Sequence, residues 1–502
     1  TPMDALNNLM YGFGIALEPI NIAYVFAGVF AGTIIGMLPG LGPISALALM
    51  IPITFAMEPS SGLILMAGVY YGAIFGGSTS SILINAPGVA GTVASAFDGY
   101  PMASGGQPGK ALATAAYASF AGGTIAALIL IVAAPYLAEV SLGFQSVDYF
   151  ALMVLGLALV TAFASRGQHL KALMMTCLGL MLATVGTDLT AGVERFTFGR
   201  MDLVDGISFL LLAMATFALS EAILMTIRRT APPPVNMLAG QLKLSMPELR
   251  AVIPPISRSS VLGFFVGVLP GAGATIASFL AYGVERNLKP ADEKPDFGKG
   301  NIKGLAAPET ANNAACTGSF VPLLTLGIPG SGTTAVLLGA LIAYGIQPGP
   351  RLYVDQPEIF WSVIVSMYFG NIVLLVLNLP LIPWIARLLT VPREYLIPII
   401  AFFSIMGVYL VSFNTFDIYL MVAVAIVAVI LRLFDYPMAP LLLGFILGGM
   451  LEDNLRRAIT LGGGELGVLW ERPTTVVLFI LAALALASPL IGELRHRLRG
   501  AA

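Results

Sequence analysis

The sequence predicts an all-α polytopic membrane protein: about 10–12 membrane segments of ~20 apolar residues each, in two inverted repeats with broken or re-entrant helices. Three observations carry this. The 502 residues are 57% hydrophobic and only 10% charged, with a mean hydropathy of +0.89, whereas soluble chains carry about 25% charged residues. Two apolar stretches are rich in Asn, Ser and Thr and are interrupted by Pro-Gly, which suits backbone lining protein or a water-filled cavity and not backbone facing lipid. Finally, Gly/Pro motifs recur in the same order at nearly one offset.

The first half opens with residues 20–56, interrupted by Pro39-Gly40-Leu41-Gly42-Pro43. A second apolar stretch, 62–87, contains Gly76-Gly77-Ser78-Thr79-Ser80-Ser81 and ends in Asn85-Ala86-Pro87-Gly88. A less hydrophobic segment, 89–109, holds Asp98. Spans follow at about 111–138, 148–164, 169–188 and 205–227. The segment 228–258 carries Arg228, Arg229, Lys243, Arg250 and Arg258 against Glu248, and its Pro232-Pro233-Pro234 run makes a stiff connection. The chain therefore divides into a first repeat (1–228), a cytoplasmic linker (229–258) and a second repeat (259–502).

The second half repeats the plan. Residues 259–283 contain Pro270-Gly271-Ala272-Gly273, and a charged loop, 285–303, follows. Next comes the stretch Pro308-Glu309-Thr310-Ala311-Asn312-Asn313, running through Thr317, Ser319 and Thr325 to Ile328-Pro329-Gly330-Ser331-Gly332-Thr333-Thr334. Pro329 removes a helix donor and the flanking glycines weaken the helix, so two half-helices meet at an unwound tip. Further spans lie at about 359–386, 395–413, 417–431, 437–451 and 473–492, and those at 205–227 and 417–431 read as plain scaffold helices. The offsets are 231 from Pro39 to Pro270, 242 from Pro87 to Pro329 and 240 from Pro108 to Pro348.

Basic loops favour the cytoplasm. The linker, the loop with Arg166 and Lys171, and the tail read as inside; 139–148, with Glu139 and Asp148, reads as outside. Counting spans puts Lys110 inside and Gln347-Pro348-Gly349 outside, so the two equivalent Pro-Gly loops fall on opposite faces. That is the basis for inversion.

Gly105-Gly106-Gln107-Pro108-Gly109-Lys110 is one residue short of a phosphate loop, and Ala111 stands where Ser or Thr is required. The only histidines are His169 and His496, which excludes a zinc helix or a His-based triad. No basic stripe points to nucleic acid. Cys177 and Cys316 lie in apolar runs and read as inert core residues. The pairs Gly32/Gly36 and Gly263/Gly267 read as close helix packing. Glu221 reads as interfacial. Glu309 has three readings: helix cap, cation ligand or proton relay.

Two interrupted apolar segments at corresponding places in two halves point to a transporter binding site. With so few bases in the apolar segments, an anion there is held by amides, helix starts and neutral side chains. The expected substrate groups are Gly40, Gly42, Ser80, Ser81, Pro87, Gly88, Gly271, Gly273, Pro329, Gly330, Ser331 and Thr333. The expected cation neighbours are Asn85, Asn313, Thr325 and Glu309. The shortage of buried carboxylates favours Na⁺ as coupling ion, with H⁺ the alternative.

At these motifs the chain closely resembles the large membrane subunit of the tripartite tricarboxylate transporter family. The residues that carry the likeness are Gly36-Met37-Leu38-Pro39-Gly40-Leu41-Gly42-Pro43, Gly76 to Gly88, Gly267-Val268-Leu269-Pro270-Gly271, Pro308 to Ser331 and Leu451-Glu452-Asp453-Asn454-Leu455-Arg456-Arg457. The resemblance implies ion-gradient-driven uptake of tricarboxylates or related carboxylates, by a multi-pass protein in the lipid of a bacterial inner membrane. It implies two partners, a small membrane subunit and a periplasmic substrate-binding protein, and no enzymatic activity. A membrane-embedded enzyme or a passive channel is the alternative. The first needs an acid-base or metal constellation that is not visible, and the duplicated broken segments argue against the second.

Overall fold

In a membrane helix, the residue with the least bulk decides how near a neighbour can come. Pro19–Met37 lies against Pro59–Ile84 through such residues: a Cβ at Gly32 would fall 2.3 Å from the Val69 carbonyl oxygen, and one at Gly36 would fall 2.1 Å from that of Ala73. The same contact recurs in the second half. Met246–Val268 lies against Ile302–Gly318, where a Cβ at Gly263 would be 2.5 Å from the Ala311 oxygen and one at Gly267 would be 2.2 Å from that of Ala315. These Gly-x-x-x-Gly pairs are packing devices, as the sequence predicts.

The computed structural model describes residues 2–38, 41–85, 87, 89–164, 168–188, 191–228, 242–271, 273–290, 295–385, 387 and 392–500. Among them, eight helices are long and apolar enough to cross a membrane, the longest being Pro108–Ser141. Five shorter apolar helices accompany them. The one sheet among the described residues is a hairpin, with Gly186–Asp188 antiparallel to Val193–Arg195.

The breaks match between halves in detail. Leu38 and Leu269 cap their helices with the same dihedrals (φ −76°, ψ 120°), their amides donating to Ile35 O and Val266 O. At the tips, Asn85 (φ 50°) and Gly327 (φ 69°) are both left-handed caps whose amides donate to Ser80 O and Pro322 O. Each tip then starts a new helix. The first passes through Ala90–Thr92 into Val93–Ser104, and the second is Gly332–Ala343. The two half-helices and the unwound tip expected around Pro329 are therefore present, and the first half has the same form.

Helix starts differ from the sequence reading in two places. The second broken helix begins at Ile302, where the Asn301 side chain accepts from the amides of Lys303 (2.8 Å) and Gly304 (3.3 Å). Glu309 lies two turns inside that helix, so it is not the cap. Met246–Val268 begins within the range read as linker, where the Ser245 amide donates to the Glu248 carboxylate at 2.9 Å. Arg166, Arg229 and Pro232-Pro233-Pro234 lie outside the described residues.

The two halves interlock. Asp98, fully buried on Val93–Ser104, accepts the amides of Gly298 (2.9 Å), Gly300 (2.9 Å) and Asn301 (2.6 Å). It thereby ties the first tip to the base of the second broken helix. In the same loop the Lys289 ammonium, 2.6 Å from Asp296, holds that carboxyl below its usual range. Glu452 and Arg456, from the motif near the chain end, hold the hairpin: Arg195 meets Glu452 at 2.8 Å and Arg456 meets Asp188 at 2.6 Å. Cys316 is buried, but Cys177 is exposed on His169–Leu182 and is not a core residue.

The ends of Pro108–Ser141 locate two loops. Lys110, near its start, pairs with Glu248. Ser141, at its end, lines a cavity of about 1,110 Å³ together with Gln145, Gln347 and Pro348. A helix of 34 residues is about 51 Å long. The Pro108-Gly109 and Pro348-Gly349 loops therefore sit at opposite ends of Pro108–Ser141.

Candidate functional site

A helix start presents unpaired amides and the positive end of the helix dipole. Four such starts border one cavity of about 580 Å³, within the roughly 300–1,000 Å³ of small-molecule sites. Gly42, Pro43, Ile44 and Ser45 begin Pro43–Thr54; Val89 and Ala90 begin the helix after the first tip. Gly273, Ala274 and Thr275 begin Gly273–Leu288, and Ser331, Gly332 and Thr333 begin Gly332–Ala343. Each half contributes two starts, one after its Pro-Gly-x-Gly break and one after its tip.

Among the described lining residues the one base is Arg432, and it is already paired with Glu221 while donating to Ser220 Oγ at 3.0 Å. Glu221 is only 4% exposed. It is thus a wall residue, not an interfacial one, and its partner sits 211 positions away. Its helix, Phe209–Arg228, is not a plain scaffold helix either: it contains a π-helical turn at Met214–Leu219, and Phe217 of that turn lines the cavity. Such turns often sit at functional sites.

The expected substrate residues separate into groups. Gly42, Gly271, Gly273, Ser331 and Thr333 all line the cavity. The Gly271 amide, however, donates to Gly330 O at 2.8 Å, so it joins the break to the second tip and does not point at a ligand. Ser331 Oγ accepts the Thr334 amide at 3.3 Å as the helix cap. Ser80 and Ser81 instead turn inward, both donating to Gly77 O (3.0 and 2.8 Å), with Ser81 also 2.7 Å from Thr92 Oγ1. Pro329 is buried in the second tip and Pro87 is exposed at the first. Gly40 and Gly88 lie outside the described residues.

Of the expected cation neighbours, Glu309 and Asn313 meet: Asn313 Nδ2 is 3.3 Å from Glu309 Oε1 and 2.9 Å from Ser119 Oγ. Thr325 is turned away, its hydroxyl bonded to Val321 O and its carbonyl to Ser141 Oγ. Asn85 is an exposed helix cap. The sequence reading missed Tyr70, whose hydroxyl lies 3.4 Å from Ser319 Oγ at the cavity wall. It could have been found from the repeat, because Tyr70 and Asn312 are separated by the same 242 as the two tips. Ser78, Ser95 and Ser119, which surround Glu309, left no spacing signal.

Over residues 22–443 the chain matches the model of the tripartite tricarboxylate transporter TctA family. The chain belongs to that family. It is 44% identical over 496 residues to an uncharacterized 52.8 kDa protein in the TAR-I ttuC' 3' region of Agrobacterium vitis, covering 99% of this chain and 98% of that one. It is 43% identical over 235 residues to an uncharacterized protein in the TAR-II ttuC' 3' region of the same organism, covering 47% of this chain and 96% of that one. No solved structure matches. As a TctA family protein the chain is a transporter component, multi-pass in a membrane, and one part of a system with other subunits.

Proposed function

We propose that this TctA family protein is the carboxylate-translocating subunit of a secondary transporter in the bacterial inner membrane. The single observation that carries the reading is the cavity bordered by four helix starts, with the one base among its described lining residues already neutralised. Positive helix ends favour an anion. Neutral donors hold it without burying an uncompensated charge once it has left. Tricarboxylates or related carboxylates fit that chemistry, and each half supplies half of the site.

The matched caps and glycine contacts support a duplicated plan, and the placement of the Pro-Gly loops at opposite ends of Pro108–Ser141 supports its inversion. In this reading the large cavity faces the periplasm, where a substrate-binding protein delivers the carboxylate, and a small membrane subunit completes the complex. Uptake is coupled to an ion gradient, with Na⁺ as the proposed ion.

Reconstitution of the three components in proteoliposomes tests this. Citrate uptake is expected to require the binding protein and an inward Na⁺ gradient, and to collapse with a Na⁺ ionophore. Uptake driven by a pH gradient in choline would replace Na⁺ by H⁺. Equal leak in both directions without the binding protein would make the protein a channel and overturn the reading.

A further inference from the structure

Behind the cavity wall, one carboxylate is held without a counter-charge. Glu309 is fully buried in the middle of Ile302–Gly318. Ser78 Oγ (2.7 Å), Ser119 Oγ (2.8 Å) and Asn313 Nδ2 (3.3 Å) donate to its Oε1, and Ser95 Oγ (2.9 Å) donates to its Oε2. The three serines come from three different first-half helices: Pro59–Ile84, Val93–Ser104 and Pro108–Ser141. No Lys or Arg among the described residues forms an ion pair with it. An ionisable group at membrane depth without an opposite charge beside it marks a functional site.

One turn along the same helix lies a second anomaly. Asn312 is fully buried, yet neither its amide oxygen nor its amide nitrogen has a hydrogen-bond partner. Buried polar groups are paired in the great majority of cases, so the orphan Oδ1 calls for a partner such as a bound ion or water. Asn312 faces Gly91, where a Cβ would lie 2.8 Å from its Oδ1. Gly91 and Ser95 are four residues apart, and Glu309 and Asn312 three apart. Glu309 and Asn312 therefore confront one stretch of the segment that follows the first tip.

We propose that Glu309, Ser78, Ser95, Ser119 and Asn312 form the site of a single monovalent cation, Na⁺, bound on entry of the coupling ion. All the ligand atoms are hard oxygens, the set that alkali and alkaline-earth cations take. One carboxylate neutralises one positive charge; a divalent ion would leave an uncompensated charge at membrane depth. Among the described residues, no group of three or more His, Cys, Asp or Glu side chains could hold a transition metal. Ser95 and Gly91 lie beyond the first tip, and Val89 and Ala90 of that tip border the anion cavity. Drawing Asn312 and Ser95 onto one ion fixes the wall against which the carboxylate rests. The expectation taken from the sequence placed the ion at Asn85, Asn313, Thr325 and Glu309; the new site keeps Glu309 and replaces the other three.

The inference rests on the ion-coupled reading, so its test measures binding and not transport. The full chain, purified in nanodiscs without substrate, is titrated with NaCl at constant ionic strength in choline chloride while the melting temperature and ²²Na⁺ binding are followed. Wild type is expected to show saturable Na⁺ binding with a rise in melting temperature. Asn312→Ala and Ser95→Ala should weaken the apparent affinity roughly tenfold or more, since losing one supporting group typically costs that much. Asn312→Ala removes an unpartnered group and so should still fold. The exposed Ser257→Ala serves as control and should bind as wild type does. Unchanged Na⁺ affinity in both variants, or no Na⁺ binding in wild type, overturns the site. Stabilisation by acid at every Na⁺ concentration, lost in Glu309→Gln, also overturns it, in favour of a proton. A protein that binds Na⁺ here yet moves no carboxylate keeps the site and refutes only the proposed function.

Discussion

Ser331→Asp removes carboxylate binding while Ser331→Asn keeps most of it. Ser331 caps Gly332–Ala343 and lines the cavity. Asp and Asn are both as good as Ser at this capping position, so neither change should cost the helix its start. The two variants differ in one charge. That charge lies where four helix starts are proposed to hold a substrate carboxylate, and it would take over their positive potential. Like charges brought together at a desolvated site cost several kcal/mol, which corresponds to a loss of about a hundredfold or more in affinity. Equilibrium binding of radiolabelled citrate to the purified protein, with melting curves to confirm folding, reads the difference. Equal loss in both variants would assign Ser331 a steric role and remove the electrostatic argument.

Gly267→Ala is expected to destabilise the protein by about 3 kcal/mol, at the upper end for overpacking. The added carbon would meet the Ala315 backbone: oxygen at 2.2 Å, Cα at 2.6 Å and carbonyl carbon at 2.8 Å. Backbone on a packed helix cannot give way as a side-chain end can, so Met246–Val268 and Ile302–Gly318 must separate. That separation displaces the helix bearing Glu309 and the break bearing Gly271. Gly36→Ala should behave alike, because its added carbon would lie 2.1 Å from Ala73 O. Gly283→Ala is the control: it is inside a helix, has nothing within 4 Å, and should be neutral or gain up to about 1 kcal/mol from helix propensity. Thermal unfolding in detergent measures all three.

What could be read from the sequence follows from how local the causes are. Pro and Gly act on their own backbone, so the helix ends beside these motifs, at Leu38, Asn85, Leu269 and Gly327, were legible, and so was the repetition of the motifs. Hydroxyl orientation was not. Ser80, Ser81 and Thr325 bond to carbonyls of their own helices, an outcome always open to Ser and Thr and silent in a residue pattern. Pairings across the chain were equally hidden. Arg432 reaches Glu221 over 211 positions and Ser78 reaches Glu309 over 231. Of the three readings of Glu309, the helix cap fails because the helix starts two turns earlier, where Asn301 is the actual cap.

The central claim is that a carboxylate binds between the four helix starts. Structure determination of the complex with a brominated dicarboxylate tests it most directly, since bromine marks the ligand independently of the protein. The account predicts bromine density in the cavity bounded by Gly42–Ser45, Val89-Ala90, Gly273–Thr275 and Ser331–Thr333. Density confined to the larger cavity, beside Arg351 and Arg457, with the helix starts empty, would contradict it.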